Sequence, residues 1–307
     1  MTDAAAGRTD TRVARVLPWV ARLAWLLVAV VGGDALEAAV DGRSGAVRWT
    51  VAILGWSLWA AVALGLVIAA AATLSLVRVL SPLSLIAAIA AAIAGASATQ
   101  VALLVVPAMV AVTAVFTAEF GRAWVQASAY GDEERFPLRP PAAAGAAAAV
   151  TWAVWAAASV AGPLLLAARG WIVGGILCAL AVAGAVFLAP RWMRLAGRWL
   201  VLVPAGLVVR DPIVLGETLM LRRADIASIG LAPADTEAAD LTGPASGYVL
   251  QVATTVTTTA VFAPTPSEPN GRAIHLLSFL VAPSRPGAAL GAAHRRGLPV
   301  AAAQSAG

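Results

Sequence analysis

Long apolar runs dominate the first 190 positions of this 307-residue chain. They cover about 18–36, 50–75, 83–96, 101–120, 143–168 and 171–188, with charged residues confined almost entirely to the gaps between them. A bilayer core of about 30 Å needs about 20 apolar helical residues. The stretch 82–120 would be about 58 Å long as one helix, at 1.5 Å per residue, so it must fold back. The polar tetrapeptide Ser97-Ala98-Thr99-Gln100 is the natural hinge. Six membrane spans follow, the third short and alanine-rich.

Beyond residue 199 the apolar period falls from helical to two, the spacing of half-buried strands. Segments 199–203 and 207–210 flank the turn Pro204-Ala205-Gly206, and 217–221 and 226–231 flank a corner at Arg222-Arg223-Ala224-Asp225. The stretch 233–247 reads as a loop. Further strands are predicted at 248–252, 257–262 and 274–281, where β-branched residues suit a pleated surface. The last element reads as a helix capped by Ser284, with Pro286 in its first turn, Arg295 and Arg296 in its last, and Gly297 as its stop.

This pattern divides the chain into a cytoplasmic tail at 1–17, a six-span domain at 18–190, a basic junction at 191–198, a β-rich domain at 199–297 and a flexible tail at 298–307. The first apolar run is too long for a signal peptide, and Asp34 and Glu37 stand where a small-residue cleavage site belongs. It therefore reads as an uncleaved span.

Composition agrees with the pattern: 61% of residues are hydrophobic and 12% charged, against about 25% charged in soluble domains. All basic residues are arginine. With six spans, ten arginines fall on the side of the termini and three (Arg43, Arg48 and Arg169) on the other, with Arg22 near a span edge. The positive-inside rule then places both termini in the cytoplasm of a plasma-membrane protein. Within the +5 net charge, residues 199–307 contribute seven arginines against seven acids. No basic patch survives for nucleic acid.

The absence of lysine excludes a Walker-A loop, a Schiff base and a Ser-x-x-Lys nucleophile. The lone Cys178 and the two histidines, His275 and His294, leave no disulfide, CxxC pair or HExxH site. No catalytic residue, metal site or cofactor is expected.

The sharpest candidates are Asp34 and Glu37, which share one helix face at i, i+3 near the outer end of the first span. Inside the bilayer such a pair marks a proton or ion path. If the span ends at Gly32-Gly33, both are already in water. Arg191, Arg194 and Arg198 fall at i, i+3 and i+7 and are predicted to share a helix face against anionic headgroups at the inner leaflet. Glu119 and Arg122 read as a helix-end pair, Gly170 and Gly174 as a weak GxxxG contact, and Asp235, Glu237 and Asp240 as a loop without calcium-site spacing. Arg210, Arg222, Arg223 and Arg285 either bind an anion or pair with Asp211, Glu217 and Asp225.

Leu207-Val208-Val209-Arg210-Asp211, followed by Arg223-Ala224-Asp225-Ile226-Ala227-Ser228-Ile229 and by Pro283-Ser284-Arg285-Pro286-Gly287 before a helix, resembles bacterial pleckstrin-homology (PH)-like domains. The whole chain resembles uncharacterised multi-pass membrane proteins of actinobacteria that carry such a domain at the C-terminus. The resemblance to the PH-like domain covers about a third of the chain. It implies oligomerisation or docking of a protein partner. The expected function is accordingly a non-enzymatic membrane scaffold or regulator. The alternative is a small-molecule or ion transporter with a regulatory cytoplasmic domain, hinted at by Pro107 and the 97–100 hinge.

Overall fold

The computed structural model of the protein describes residues 2–264 and 268–301, with side chains from residue 15 onward. The chain forms two compact units. One is helical, Met1–Trp124 with Ala148–Trp192; the other is β-rich, Val125–Ala147 with Met193–Gly307.

The helices are α1 (Thr2–Val31), α2 (Gly33–Ala39), α3 (Gly45–Val67), α4 (Ala71–Leu80), α5 (Leu83–Ala94), α6 (Ala98–Phe116), α7 (Ala118–Gln126), α8 (Ala142–Ala167) and α9 (Trp171–Ala196). Five stretches are long and apolar enough to cross a bilayer: α3, the run Ala71–Ala94 formed by α4 and α5, α6, α8 and α9. A sixth is added if α1 and α2, bent by 41° at Gly32, are one span. That is the pattern of a multi-pass membrane protein.

Most boundaries follow local chemistry. Ser44 caps α3 by accepting from the Val47 N–H. The expected 97–100 hinge is a capping box: Ser97 Oγ accepts from Gln100 N at 3.3 Å and Gln100 Oε1 from Ser97 N at 2.9 Å. α6 then runs unbroken through Pro107. The second and third spans divide differently from the expected 50–75 and 83–96. The break lies at 68–70, where Thr73 Oγ1 accepts from Ala70 N at 3.1 Å. Residues 71–80 therefore belong to the third stretch, which is no longer short.

Close helix packing uses missing side chains. A Cβ on Gly162 would lie 2.8 Å from Cys178 N, and one on Gly174 would lie 2.7 Å from Leu166 N, so α8 and α9 meet nearly backbone to backbone. Trp155 reinforces the pair by donating to Ala181 O at 3.0 Å. Trp25 on α1 and Trp59 on α3 donate reciprocally, each indole N–H to the other's carbonyl at 3.0 Å.

The β unit contains β1 (Glu134–Pro137), β2 (Trp199–Val203), β3 (Gly206–Arg210), β4 (Leu219–Arg222), β5 (Ile226–Leu231), β6 (Ala239–Asp240), β7 (Leu250–Phe262), β8 (Arg272–Val281) and α10 (Pro286–Arg295). Strands β1-β2-β3-β4 form an antiparallel sheet in chain order. The second sheet runs β5-β7-β8-β6, with only the β6 pairing parallel. Leu200, Leu207 and Val209 of the first sheet share one core with Val252 and Phe279 of the second and with Ala289 and Ala292 of α10.

Four expectations need correction here. β1 comes from the segment between α7 and α8, outside every strand expected, so the β unit does not begin at 199. The strands predicted at 248–252 and 257–262 are one long β7, with its pairing shifted between Ala253 and Thr258. Ser284 does not cap α10: Arg285 holds the N-cap position, and the Ser284 N–H bonds Pro137 O at 2.8 Å. The tail expected at 298–307 is ordered at its start. Leu298 is buried, and Val300 extends the β5 edge in parallel, with Ile229 N donating to Pro299 O and Ala301 N to Ile229 O. Residues 302–307 lie outside the described residues.

Candidate functional site

In the helical unit the bend at Gly32 opens a cleft between α1–α2 and α3, with a volume of about 620 Å³. A side chain on Gly32 would strike Leu104 Cδ1 at 2.7 Å and Val28 O at 2.5 Å, so glycine lets α6 press against the bend. The cleft wall is hollowed by Gly55, where an added Cβ would meet only Leu36, at 3.6 Å. Trp56 and Trp59 supply aromatic wall, and Glu37 and Arg48 line the end nearest the α2–α3 turn.

Asp34 and Glu37 both lie on α2 and are both exposed, but only Glu37 faces this cleft. Neither the Glu37 nor the Arg48 side chain bonds another described residue. Glu37 is in the last turn of α2 and Arg48 four residues into α3. Each therefore lies at the helix end where the macrodipole disfavours its charge. Both side chains are exposed and free to meet a group in the cleft.

Two other charges in the apolar unit are satisfied. Arg22 Nε donates to Leu66 O at 2.8 Å, at the end of α3, and its guanidinium lies over the Trp19 and Trp124 rings. Arg78, expected just beyond the second span, lies within α4. It donates to Val115 O at 3.1 Å and Thr117 O at 3.4 Å, at the end of α6. Helix C-termini leave orphan carbonyls and a partial negative charge, which suit an arginine that has lost its water.

The junction arginines separate. Arg191 and Arg194 are exposed near the end of α9 and hydrogen-bond only carbonyls, those of Phe187 and Pro212. Arg198 lies beyond the helix, after Gly197, and cannot share their face. Its side chain is 1% exposed and Asp211's is 0% exposed. The two form a bidentate pair, Nε to Oδ1 at 2.8 Å and Nη2 to Oδ2 at 2.6 Å. Arg198 also donates to the carbonyls of Thr242 and Arg139, and Asp211 accepts from the N–H groups of Ile213 and Val214. All three guanidinium nitrogens are thus engaged inside the protein, and a headgroup cannot reach them. The expectation of lipid contact fails for this residue because burial turns it into a hub joining four loops.

The remaining basic residues of the β unit are mostly structural. The guanidinium groups of Arg135 and Arg210 both lie over the Trp199 ring, their carbons 4.9 and 5.0 Å from its centroid. Arg223 bonds the Arg296 carbonyl. Arg296 pairs with Asp132 at 2.7 Å and Glu134 at 3.4 Å, fastening α10 to the segment that supplies β1. Burial alone would lower the pKa of Arg296, but the hydrogen bond and charge of Asp132, then those of Glu134, outweigh it and raise it above the ordinary value. Burial lowers that of Arg139. His275 hydrogen-bonds Thr259 across β7–β8 at 2.9 Å. Among the described residues no three His, Cys, Asp or Glu side chains gather as a metal site. Comparison with protein-family models, curated proteins and solved structures finds no match to this chain.

Proposed function

We propose that the chain is a non-enzymatic plasma-membrane scaffold or regulator. Six spans anchor a cytoplasmic PH-like domain, both termini lie in the cytoplasm, and the domain docks a protein partner or self-associates. The observation that carries this reading is the pairing of β1 with β2. Pro137 stands opposite Trp199 in the ladder although α8 and α9 lie between them in the chain. The β unit is thus joined to the helical unit by three chain connections rather than one, and one strand of its first sheet is supplied by the segment between two spans, so the domain is built as part of the membrane anchor's own chain path.

The pairing also supports the topology. Residues 137 and 199 must lie on one side of the bilayer, so the chain between them crosses an even number of times, as two spans provide. The arginine bias makes that side the cytoplasm. The PH-like reading draws on a four-strand antiparallel sheet, a second mainly antiparallel sheet and a closing C-terminal helix.

Docking has an available edge. β5 is covered by residues 299–301, whereas β4 ends its sheet, with Met220 70% exposed. An apolar residue on an open edge strand invites strand addition. The test uses the full chain in lipid nanodiscs, because a fragment starting at 199 would lack both β1 and Arg198. Specific cross-linking to a second copy or to one reproducible partner, weakened by Met220→Glu, is the expected result. A monomer that captures no partner would sink the proposal.

A further inference from the structure

The cleft between α1–α2 and α3 has the dimensions and the wall of a ligand site. Its volume of about 620 Å³ falls within the roughly 300–1,000 Å³ of small-molecule pockets. Its length is apolar and aromatic, from Val28 and Trp59 at one end to Trp49 near the other. The single acid and single base lie together at the end beside the α2–α3 turn. Both are exposed, both lack a protein partner among the described residues, and both oppose their helix dipoles, so both are open to a ligand in the cleft.

We infer that this cleft binds one phospholipid whose headgroup carries both an ammonium and a phosphate. Arg48 takes the phosphate, Glu37 takes the ammonium, and one acyl chain lies along the wall past Gly55 and Trp56. Charge complementarity selects this occupant. An anionic headgroup would leave Glu37 facing negative charge, and an apolar segment of a second copy would leave both charges unanswered. The exposed Ile53 and Trp56 on α3 supply apolar surface continuous with the bilayer, so the second acyl chain remains in lipid. The inference is independent of the scaffold reading.

The glycines make the test clean. At Gly55 a larger side chain would project into the cleft, with only Leu36 in van der Waals range. At Gly175 on α9 an added Cβ meets nothing within 4 Å, which makes it a control outside the cleft. The measurement is native mass spectrometry of the full-length protein in detergent, titrated with phosphatidylethanolamine, phosphatidylglycerol or free phosphoethanolamine. Folding of every variant is checked by circular dichroism. Wild type is expected to retain phosphatidylethanolamine about tenfold more tightly than phosphatidylglycerol, the scale of one charge-assisted contact. Gly55→Leu and Glu37→Gln are expected to abolish that preference, Gly175→Leu to keep it, and free phosphoethanolamine not to compete. Equal retention of the two lipids, or preference surviving in folded Gly55→Leu, overturns the inference. If Gly55→Leu misfolds, Glu37→Gln alone decides. A dimer that Gly55→Leu dissociates without any lipid effect would overturn it too, and would assign the cleft to a second copy. Competition by free phosphoethanolamine would overturn the lipid assignment and make the site one for a soluble solute.

Discussion

Asp211→Ala removes the acid at the centre of the Arg198 hub. Two charge-assisted bonds of 2.8 and 2.6 Å disappear, and the Ile213 and Val214 N–H groups lose their shared acceptor at 3.1 and 3.2 Å. Arg198 keeps its carbonyl partners from Thr242 and Arg139 but becomes a buried charge without a counter-ion. Breaking one side of a buried pair costs about 3–5 kcal/mol. The hub joins the segment before β2, the loop after β1, the turn after β3 and the loop after β6, so the loss should be felt as local opening of the β unit. Hydrogen–deuterium exchange of the full-length protein in nanodiscs reads it directly. At about 1.4 kcal/mol per factor of ten, amides in peptides covering β2 and β3 should exchange faster by roughly two to three and a half powers of ten, while α8 and α9 hold their protection. The double variant Arg198→Met/Asp211→Leu should recover much of the loss, because an apolar replacement for a buried pair removes the desolvation cost with the charges. If Asp211→Ala accelerated β2 and β3 less than tenfold, Arg198 would not be structurally committed, and its assignment to lipid headgroups would stand again.

Gly32→Ala forces a Cβ against Leu104 and the Val28 carbonyl. It should lower stability in detergent by about 1–3 kcal/mol, the scale of an overpacked core, measured as a fall in melting temperature. Trp25→Phe leaves the Trp59 carbonyl without its indole donor. A cost of roughly 1 kcal/mol or more is expected, and combining it with Trp59→Phe should cost less than the sum of the two in a double-mutant cycle. Removing residues 298–307 takes away buried Leu298 and two strand bonds to Ile229, at about 2–4 kcal/mol. Exchange protection of β5 should fall with it, whereas removal from 302 onward should leave that edge protected.

Elements written in local chemistry are legible in the amino-acid order alone. Trp199–Val203 and Ile226–Leu231 are short apolar-rich runs bounded by turn signals, and the strands match the expected limits. Ser97 and Gln100 mark a helix start that hydropathy alone would miss. The break at 68–70 is hidden because Val67-Ile68-Ala69-Ala70-Ala71 is uniformly apolar. Its one signal is Thr73, which supplies the acceptor for Ala70 N. The cleft is hidden for a related reason. Its wall is shaped by side chains that glycines lack, and it opens only because α2 bends away at Gly32.

Arg198 and β1 escape prediction for one shared reason: the junction at 190–203 has the composition of a membrane domain's edge. A helical face through Arg191, Arg194 and Arg198 requires the helix to continue past Gly197, yet glycine followed by the short apolar run Trp199–Val203 and its turn Pro204-Ala205-Gly206 is already a stop and a strand. Once the helix ends at Ala196, Arg198 becomes the residue that enters the β core, and a buried guanidinium must find an acid. Asp211 meets that demand from 13 positions downstream. β1 follows from the same geometry. Glu134-Arg135-Phe136-Pro137 has two charges and a proline and no strand character of its own, but β2 presents an open side that the hairpin to β3 cannot cover. Phe136 fills the core opposite Leu200, and the Arg198 carbonyl accepts from Leu138 N at 2.9 Å. Pairing of a weak strand with a distant one is set by the partner's unmet hydrogen bonds and exposed apolar face, not by the local sequence. The three arginines therefore divide their work. Arg191 and Arg194 remain exposed on α9, and Arg198 holds together the domain whose existence makes the junction matter.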